Sequence, residues 1–254
     1  MEHKEYRKLH AEWYEYMSDN PGLGKEIDFW VRAVQDAGQP VLELGSGTGR
    51  VLVPLMARGF DITGIDTSRD MMARCRATCQ AKGLTPRLHE QSMLNFSLDR
   101  RFALVILPSG ALGLFISDAD IRSMFSRVMA HLKPGGVFVY GFENIPLKFD
   151  PNNDNWSGGW VRGPGGVVIA SRRHWRYDSA SHVWECLFVV EKFVDGRLVE
   201  TEANERTGRF FSVDEGLAYA SAAGFGEILA IDRLTEKPPG QDSVSIIVRC
   251  RKPA

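Results

Sequence analysis

One stretch constrains the fold of this chain more than any other: Val41-Leu42-Glu43-Leu44-Gly45-Ser46-Gly47-Thr48-Gly49-Arg50. A short apolar strand runs into a glycine-rich turn, and Arg50 to Arg58 then reads as a helix. Glycine carries no Cβ, so the backbone at Gly45 and Gly47 can approach a ligand where another residue would obstruct it. Strand, turn and helix in this order put that ligand at the carboxyl edge of a parallel sheet, at the switch point between its first and fourth strands.

The flanking sequence supplies the rest of that sheet. Asp61 to Ile65 reads as a strand, Arg69 to Lys82 as a helix, Leu88 as the end of a third strand and Phe102 to Leu107 as a fourth. Asp118 is the expected N-cap of a helix carrying Ile121, Met124, Phe125, Val128, Met129 and Leu132. Lys133-Pro134-Gly135-Gly136 stops it, and Val137 to Phe142 is a fifth strand. Strands and helices in strict alternation predict a doubly wound α/β sheet. Upstream, Tyr6, Leu9, Trp13, Tyr16 and Met17 share one face of a helix over residues 3 to 17. Ile27, Trp30, Val31 and Val34 share one face of a second helix.

Beyond Phe142 the pattern changes. Residues 143 to 166 are rich in Gly, Asn, Pro and Trp and read as a lid or disordered loop. Cys186 to Val194 and Leu198 to Glu202 join through Asp195-Gly196, a hairpin signal. A helix from about Asp214 to Ala223 and two runs, Ile228 to Leu234 and Ser243 to Cys250, return to the main sheet. The expected units are an N-terminal helical lid (1–38), a Rossmann-like core (39–142), an antiparallel β insertion (143–211) and a C-terminal return (212–254).

The ligand's chemistry follows from the acids. Arg50 stands where a dinucleotide fingerprint wants its third glycine. Glu43 would repel a pyrophosphate and suits a ligand bearing an ammonium and a sulfonium, the charges of S-adenosylmethionine (SAM). Asp66, about twenty residues past the turn, is an acceptor-only carboxylate suited to a ribose diol.

These residues carry a family resemblance. V-L-E-L-G-S-G-T-G-R, G-I-D-T-S with Met71-Met72 after it, Phe102 to Leu107 and L-K-P-G-G-V-F-V resemble the class I SAM-dependent methyltransferases. The similarity covers roughly residues 12 to 142 and continues weakly through Phe210 to Glu215 and Ala222 to Phe225. It implies a seven-stranded sheet with the last strand antiparallel. By position, Glu43 and the Gly45, Ser46, Gly47, Gly49 turn would hold the methionine part and Asp66 the ribose, with Arg50 and Thr67 counted among the cofactor-binding residues. Met71 would pack on the adenine, Ser92 and Met93 would meet its edge, and Leu107 and Pro108 would face the sulfonium. Two positions depart from the pattern: Ser92 stands where Asp is common, and Ala103 follows the aromatic of the fourth strand where Asp is common.

Methyl transfer needs alignment and water exclusion more than acid–base groups, so no specific catalytic motif is expected. Tyr14 corresponds to an N-terminal Tyr that folds over the cofactor in similar small-molecule enzymes; otherwise it packs its helix on the sheet. Glu143 reads as a base or amine anchor, or as a solvated or capping acid; Asn144 follows it. Ser109 reads as a polar group facing the acceptor, or as a turn serine. Arg172-Arg173-His174-Trp175-Arg176 puts Arg172, His174 and Arg176 on one strand face and Arg173 and Trp175 on the other. That run could bind an acidic substrate group or form a solvated strand edge. His131 reads as a surface or capping histidine, and His89 has no assigned role.

The aromatic N-terminal helices and the insertion resemble amino-sugar N-methyltransferases, some of which carry a His shortly after the fourth strand; Leu112-Gly113-Leu114 offers none. In that group the insertion often contributes to dimer contacts, which implies a possible homodimer. The expected reaction is methylation of an N or O atom of a small molecule. A protein methyltransferase or a non-catalytic SAM-binding protein are the alternatives. A net charge of −1, and Leu107-Pro108-Ser109-Gly110 where a base-stacking motif would stand, weigh against nucleic acid. The four cysteines lack zinc-like pairing, so no metal is expected. The charged start at Met1 to Lys8 and the lack of a long apolar run suit a cytoplasmic protein without a membrane segment.

Overall fold

The computed structural model describes residues 8–18, 23–108, 110–145 and 156–254. Seven strands form the main sheet: β1 (Val41–Leu44), β2 (Ile62–Asp66), β3 (Arg87–Glu90), β4 (Phe102–Leu107), β5 (Leu132–Glu143), β10 (Gly226–Asp232) and β11 (Ser245–Arg251). Their order is β10-β11-β5-β4-β1-β2-β3. β1 pairs in parallel with both β2 and β4, which makes the gap above it the switch point. β11 runs antiparallel to β5 and β10, as the family resemblance implies.

Successive side chains of a strand point to opposite faces, so each strand feeds two cores. Leu42, Leu44, Val105, Leu107, Phe138, Tyr140 and Phe142 pack under α5 (Asp118–His131) and α6 (Val213–Ala222). Val41, Leu104, Ile106, Val137 and Val139 pack under α2 (Leu23–Ala37), α3 (Leu52–Ala57) and α4 (Arg69–Ala81). On α2 the buried residues are Ile27, Trp30 and Val34, three or four apart, so one stripe faces the sheet. Each such side chain contributes about 1.5–3 kcal/mol on burial.

Some boundaries differ from expectation. Ser117, not Asp118, caps α5: its hydroxyl accepts the Asp120 amide at 3.4 Å. Asp118 instead accepts the Tyr219 hydroxyl at 2.6 Å and an Arg209 N–H at 2.9 Å. Lys133-Pro134-Gly135-Gly136 does not separate helix from strand. Phe102 pairs with Leu132 and Leu104 with Val137, so the four residues bulge out of a strand already begun, with Gly135 at φ +70°. His131 is 3% exposed rather than on the surface. Its ring stacks near Phe96, Nε2 accepts the Leu98 amide at 3.1 Å and Nδ1 lies 2.8 Å from the Arg127 carbonyl, a pattern that fits the neutral ring. Burial accordingly lowers its pKa.

A second sheet, β6-β7-β8-β9, is wholly antiparallel: β6 (Ser157–Arg162), β7 (Val167–Asp178), β8 (Val183–Val194) and β9 (Arg197–Arg209). Part of the segment expected to be a loop is therefore strand β6; residues 146–155 lie outside the described residues. Asp195 (φ +49°) and Gly196 (φ +76°) make the two-residue turn between β8 and β9, a left-handed pair that matches strand twist. Helix α1 (Lys8–Ser18) lays Leu9 and Trp13 on Ile169, Cys186, Phe188 and Val190 of this sheet. Glu12 pairs with Lys192 at 2.9 Å, and Glu15 pairs with Arg74 of α4. The helix thus ties the second sheet to the main one. Residues 3–7 of the expected helix lie outside the described residues.

Candidate active site

The turn after β1 is built as the sequence requires. Gly45, Gly47 and Gly49 have φ of +65°, +53° and +85°, the left-handed region that favours glycine. A Cβ at Gly49 would lie 2.6 Å from both Cys75 Sγ and Val53 Cγ2, so this glycine serves helix-to-turn packing. At Gly45 and Gly47 a Cβ would instead meet the terminal methyls of Met93 (3.4 Å) and Met71 (3.2 Å). Two flexible thioethers therefore line the turn from α4 and from the loop after β3, and such side chains adapt to a flat ligand.

Asp66 ends β2 beside this turn. Its Oδ2 accepts the Gly47 amide and its Oδ1 the Ser68 amide, each at 2.8 Å. Ser68 in turn caps α4 by accepting the Met71 amide at 3.2 Å. The hydrogen bonds fix Asp66, the glycine turn and Met71 relative to one another. Thr67 is exposed next to them.

Glu43 is 3% exposed, and its Oε2 is buried without a hydrogen bond. Burial pushes its pKa well above the usual carboxylate range; Arg50 opposes that, while Asp66 and Glu26 reinforce it. A buried charge with an unused acceptor is costly unless something cationic faces it. Arg50 is engaged elsewhere. It pairs with Glu26 of α2, and its Nε donates to the Tyr14 hydroxyl at 3.3 Å. Glu26 also pairs with Arg233 at 3.2 Å. Sequence reading missed Glu26 and Arg233; Glu26 sits four residues before Trp30 on α2 and looks like an ordinary surface acid.

Tyr14 is thus brought to the glycine turn by Arg50. Ser92 is half-buried, and its hydroxyl accepts the Leu94 amide at 3.3 Å, a turn-capping contact. Leu107 and Pro108 are buried at the end of β4. Ser109 lies outside the described residues. Glu143 ends β5 two strands from Glu43, where a Cβ on Gly110 would come within 3.1 Å of its Oε1. That oxygen accepts the Ser245 hydroxyl at 3.2 Å. Burial raises the Glu143 pKa, against the pull of Ser245 and Arg233. The edge therefore gathers Glu43, the turn, Asp66, Met71, Met93 and Tyr14 in one group, with Glu143 across the end of β4.

Arg172 and Arg176 do share one face of β7, pairing with Glu191 at 3.1 Å and Glu185 at 2.6 Å. β7 is an interior strand, flanked by β6 and β8, and not an edge. An open basic cavity of about 680 Å³, lined by Arg100, Arg101, Arg127 and His131, lies at the amino end of β4, away from these acids.

This sheet order, with a glycine turn after β1 and acids ending β1 and β2, defines a Rossmann-like methyltransferase fold. Residues 41–136 match the family described as a methyltransferase domain. A dTDP-3-amino-3,6-dideoxy-alpha-D-glucopyranose N,N-dimethyltransferase of Streptomyces fradiae is 30% identical over 121 residues, 48% of this chain and 46% of that one. The chain spans about half the length of the first curated relatives it matches. Among solved structures, Streptomyces venezuelae DesVI superimposes with a TM-score of 0.78 at 21% identity, covering 98% of this chain and 100% of that one. A SAM-dependent methyltransferase from Clostridium acetobutylicum gives 0.77 at 18% identity, covering 94% of each chain. At such identities these structures establish the shared fold.

Proposed function

We propose that the chain is a SAM-dependent methyltransferase acting on an N or O atom of a small molecule. The observation that carries this is Glu43: a buried carboxylate, one oxygen without a partner, beside a glycine cradle. The residues fit the cofactor. Glu43 answers the ligand's cationic groups, the turn amides its carboxylate, Asp66 its ribose hydroxyls, and Met71 and Met93 its adenine. When bound, SAM supplies an electrophilic methyl group on a sulfonium.

This chain's own residues then position and exclude water. The hydrogen bond from Arg50 to the Tyr14 hydroxyl supports Tyr14 of α1 as the lid contact over the turn. A protonated amine must lose a proton before its lone pair can attack the methyl, a hydroxyl as it attacks, and Glu143, at the end of β5, is the proposed acceptor of that proton. Its raised pKa moves it toward the range where a general base works well. Ser109, between Pro108 and Gly110, is a candidate polar contact for the acceptor.

Two similar Streptomyces enzymes are named for amino-sugar substrates, which favours an amino sugar as acceptor. In this reading the lid (1–38) closes over the cofactor, the core (39–142) binds it, the insertion (143–211) meets the acceptor and the return (212–254) completes the sheet. The outer face of the second sheet, with Trp160 62% exposed, supports a homodimer through the insertion. Among the described residues no helix is long and apolar enough to cross a membrane, in keeping with a cytoplasmic place of action. Incubating the protein with methyl-labelled SAM and a panel of amino sugars, their nucleotide conjugates and simple amino acids tests the reading. Label is expected in an amino sugar. Transfer to none of the panel, or to added protein only, would contradict it.

A further inference from the structure

Arg233 follows β10 at the carboxyl edge of the main sheet, where no sequence pattern singles it out. Glu143 of β5 pairs across the ladder with Ser245 of β11, and the Arg233 amide donates to the Ser245 carbonyl at 2.9 Å. Glu143, Ser245 and Arg233 therefore form one row over three neighbouring strands, and residues in register share a face. That face is the one under α2. Val139, Ile247 and Ile231, each an even number of residues from a member of the row, pack there with Trp30. Glu43, two residues beyond Val41, shares the same face.

Two ion pairs dock the segment after β10 onto α2: Arg233 with Glu26 at 3.2 Å and Glu236 with Arg32 at 2.6 Å. Glu26 also pairs with Arg50, whose Nε donates to Tyr14. One acid of α2 thus touches a cation beside the glycine turn and a cation in the Glu143 row. The neighbours of Glu143 differ in charge. The Ser245 hydroxyl, neutral, donates to its Oε1 at 3.2 Å, and the turn after β4 brings Gly110 against the same oxygen. β10 brings the guanidinium of Arg233, and α2 brings Glu26, which Arg233 and Arg50 both engage. Burial pushes the Glu143 pKa up, and Ser245 and Arg233 pull it back.

We propose that Arg233 is a positioning residue for methyl transfer: braced on Glu26, it holds Glu143 in the carboxylate form that can take a proton from the acceptor. This rests on the reading of Glu143 as the proton acceptor. Without a cation in the row, a carboxyl as buried as Glu143 would keep its own proton and could not accept another. Glu26 then serves both sides of the site, the glycine turn through Arg50 and the acceptor side through Arg233.

The test follows the Glu143 carboxyl itself, by carbon NMR of the whole protein labelled at glutamate Cδ and titrated with pH. The Glu143 signal is identified by its absence in Glu143→Gln. Arg233→Gln should move its titration midpoint upward by about one pH unit. This is the low end for a nearby opposite charge, because 36% of the Arg233 side chain is exposed and water screens it. Arg233→Lys, which keeps the charge, should return the midpoint toward wild type. Arg32→Gln, which breaks the other tie between this segment and α2, should leave it in place. An unmoved midpoint in Arg233→Gln, an equal rise in Arg32→Gln, or a midpoint as high in Arg233→Lys as in Arg233→Gln overturns the proposal and leaves Arg233 a loop anchor. Circular dichroism melts check folding, and Arg233→Met replaces Arg233→Gln where that variant is unfolded. Failure of the base reading shows separately, as an unaltered kcat in Glu143→Gln while the midpoints move as expected; it would remove the catalytic role of Arg233 and leave its pairing with Glu143.

Discussion

Glu43→Gln should make the protein more stable and a poorer binder of its cofactor, two effects with one cause. The wild-type carboxylate is buried, has one oxygen without a hydrogen bond, and faces the acids Asp66 and Glu26 against a single opposing cation, Arg50. Its pKa is therefore well above the ordinary 4.5 in the folded chain. Between 4.5 and that raised value the unfolded chain has released the proton while the folded chain keeps it. Stability contributed by this group consequently falls as pH rises, by at most about 1.4 kcal/mol per pH unit. A neutral amide of the same shape escapes the penalty. At pH 8 the variant should gain about 1–3 kcal/mol, the usual cost of an unsatisfied buried polar group. Losing one charge-assisted contact should weaken SAM binding by about 1.5–3 kcal/mol, or roughly 10- to 150-fold. Urea unfolding from pH 5 to 8 gives the first quantity, as the difference between variant and wild type at each pH; calorimetry gives the second. A difference that does not grow with pH would refute the buried-charge account. Undiminished SAM affinity would refute the ligand role of Glu43.

Other expectations follow from the same geometry. Gly49→Ala places a Cβ 2.6 Å from Cys75 and Val53 at a left-handed φ and should cost about 2–5 kcal/mol; Gly59→Ala, at φ +82° with nothing within 4 Å, should cost only about 1–2 kcal/mol, and equal losses in denaturant titrations would contradict the packing argument. Glu143→Gln should lower kcat by about 10²–10⁴-fold with SAM affinity unchanged, flattening the acid limb of the pH–rate profile; an unaltered kcat removes Glu143 from proton transfer. Burial holds the His10 and His131 pKa values below 6.5, so the unfolded chain takes up protons first as pH falls; stability drops below pH 6.5, and His131→Gln should blunt that drop in thermal melts between pH 7 and 5.

What could be read from the sequence was what short-range patterns encode. Val41 to Asp66 announced itself because strand, glycine turn, helix and second strand are contiguous, and β4 fell on Phe102–Leu107 as expected. The hairpin at Asp195-Gly196 was legible for the same reason. Strand β6 was hidden because Gly158 and Gly159 read as loop. A Cβ at Gly158 would lie 2.1 Å from the Ser171 carbonyl, so this glycine marks a close approach of β7 that only the paired sheet reveals. His131 and the Arg50–Glu26–Arg233 cluster were illegible because their partners come from distant segments. The residues proposed for the cofactor lie near one sheet edge and carry a recognisable spacing. The residues proposed for the acceptor side, Tyr14 and Glu143, come from separate elements and share no pattern.

The most direct test of the central claim is calorimetric titration of the purified protein with SAM, S-adenosylhomocysteine and NAD, repeated on Asp66→Ala. Micromolar binding of the first two, no heat from NAD, and loss of binding in the variant are the expected results. Binding of NAD in their place, or SAM binding that survives the loss of Asp66, would contradict the assignment of this edge as a SAM site.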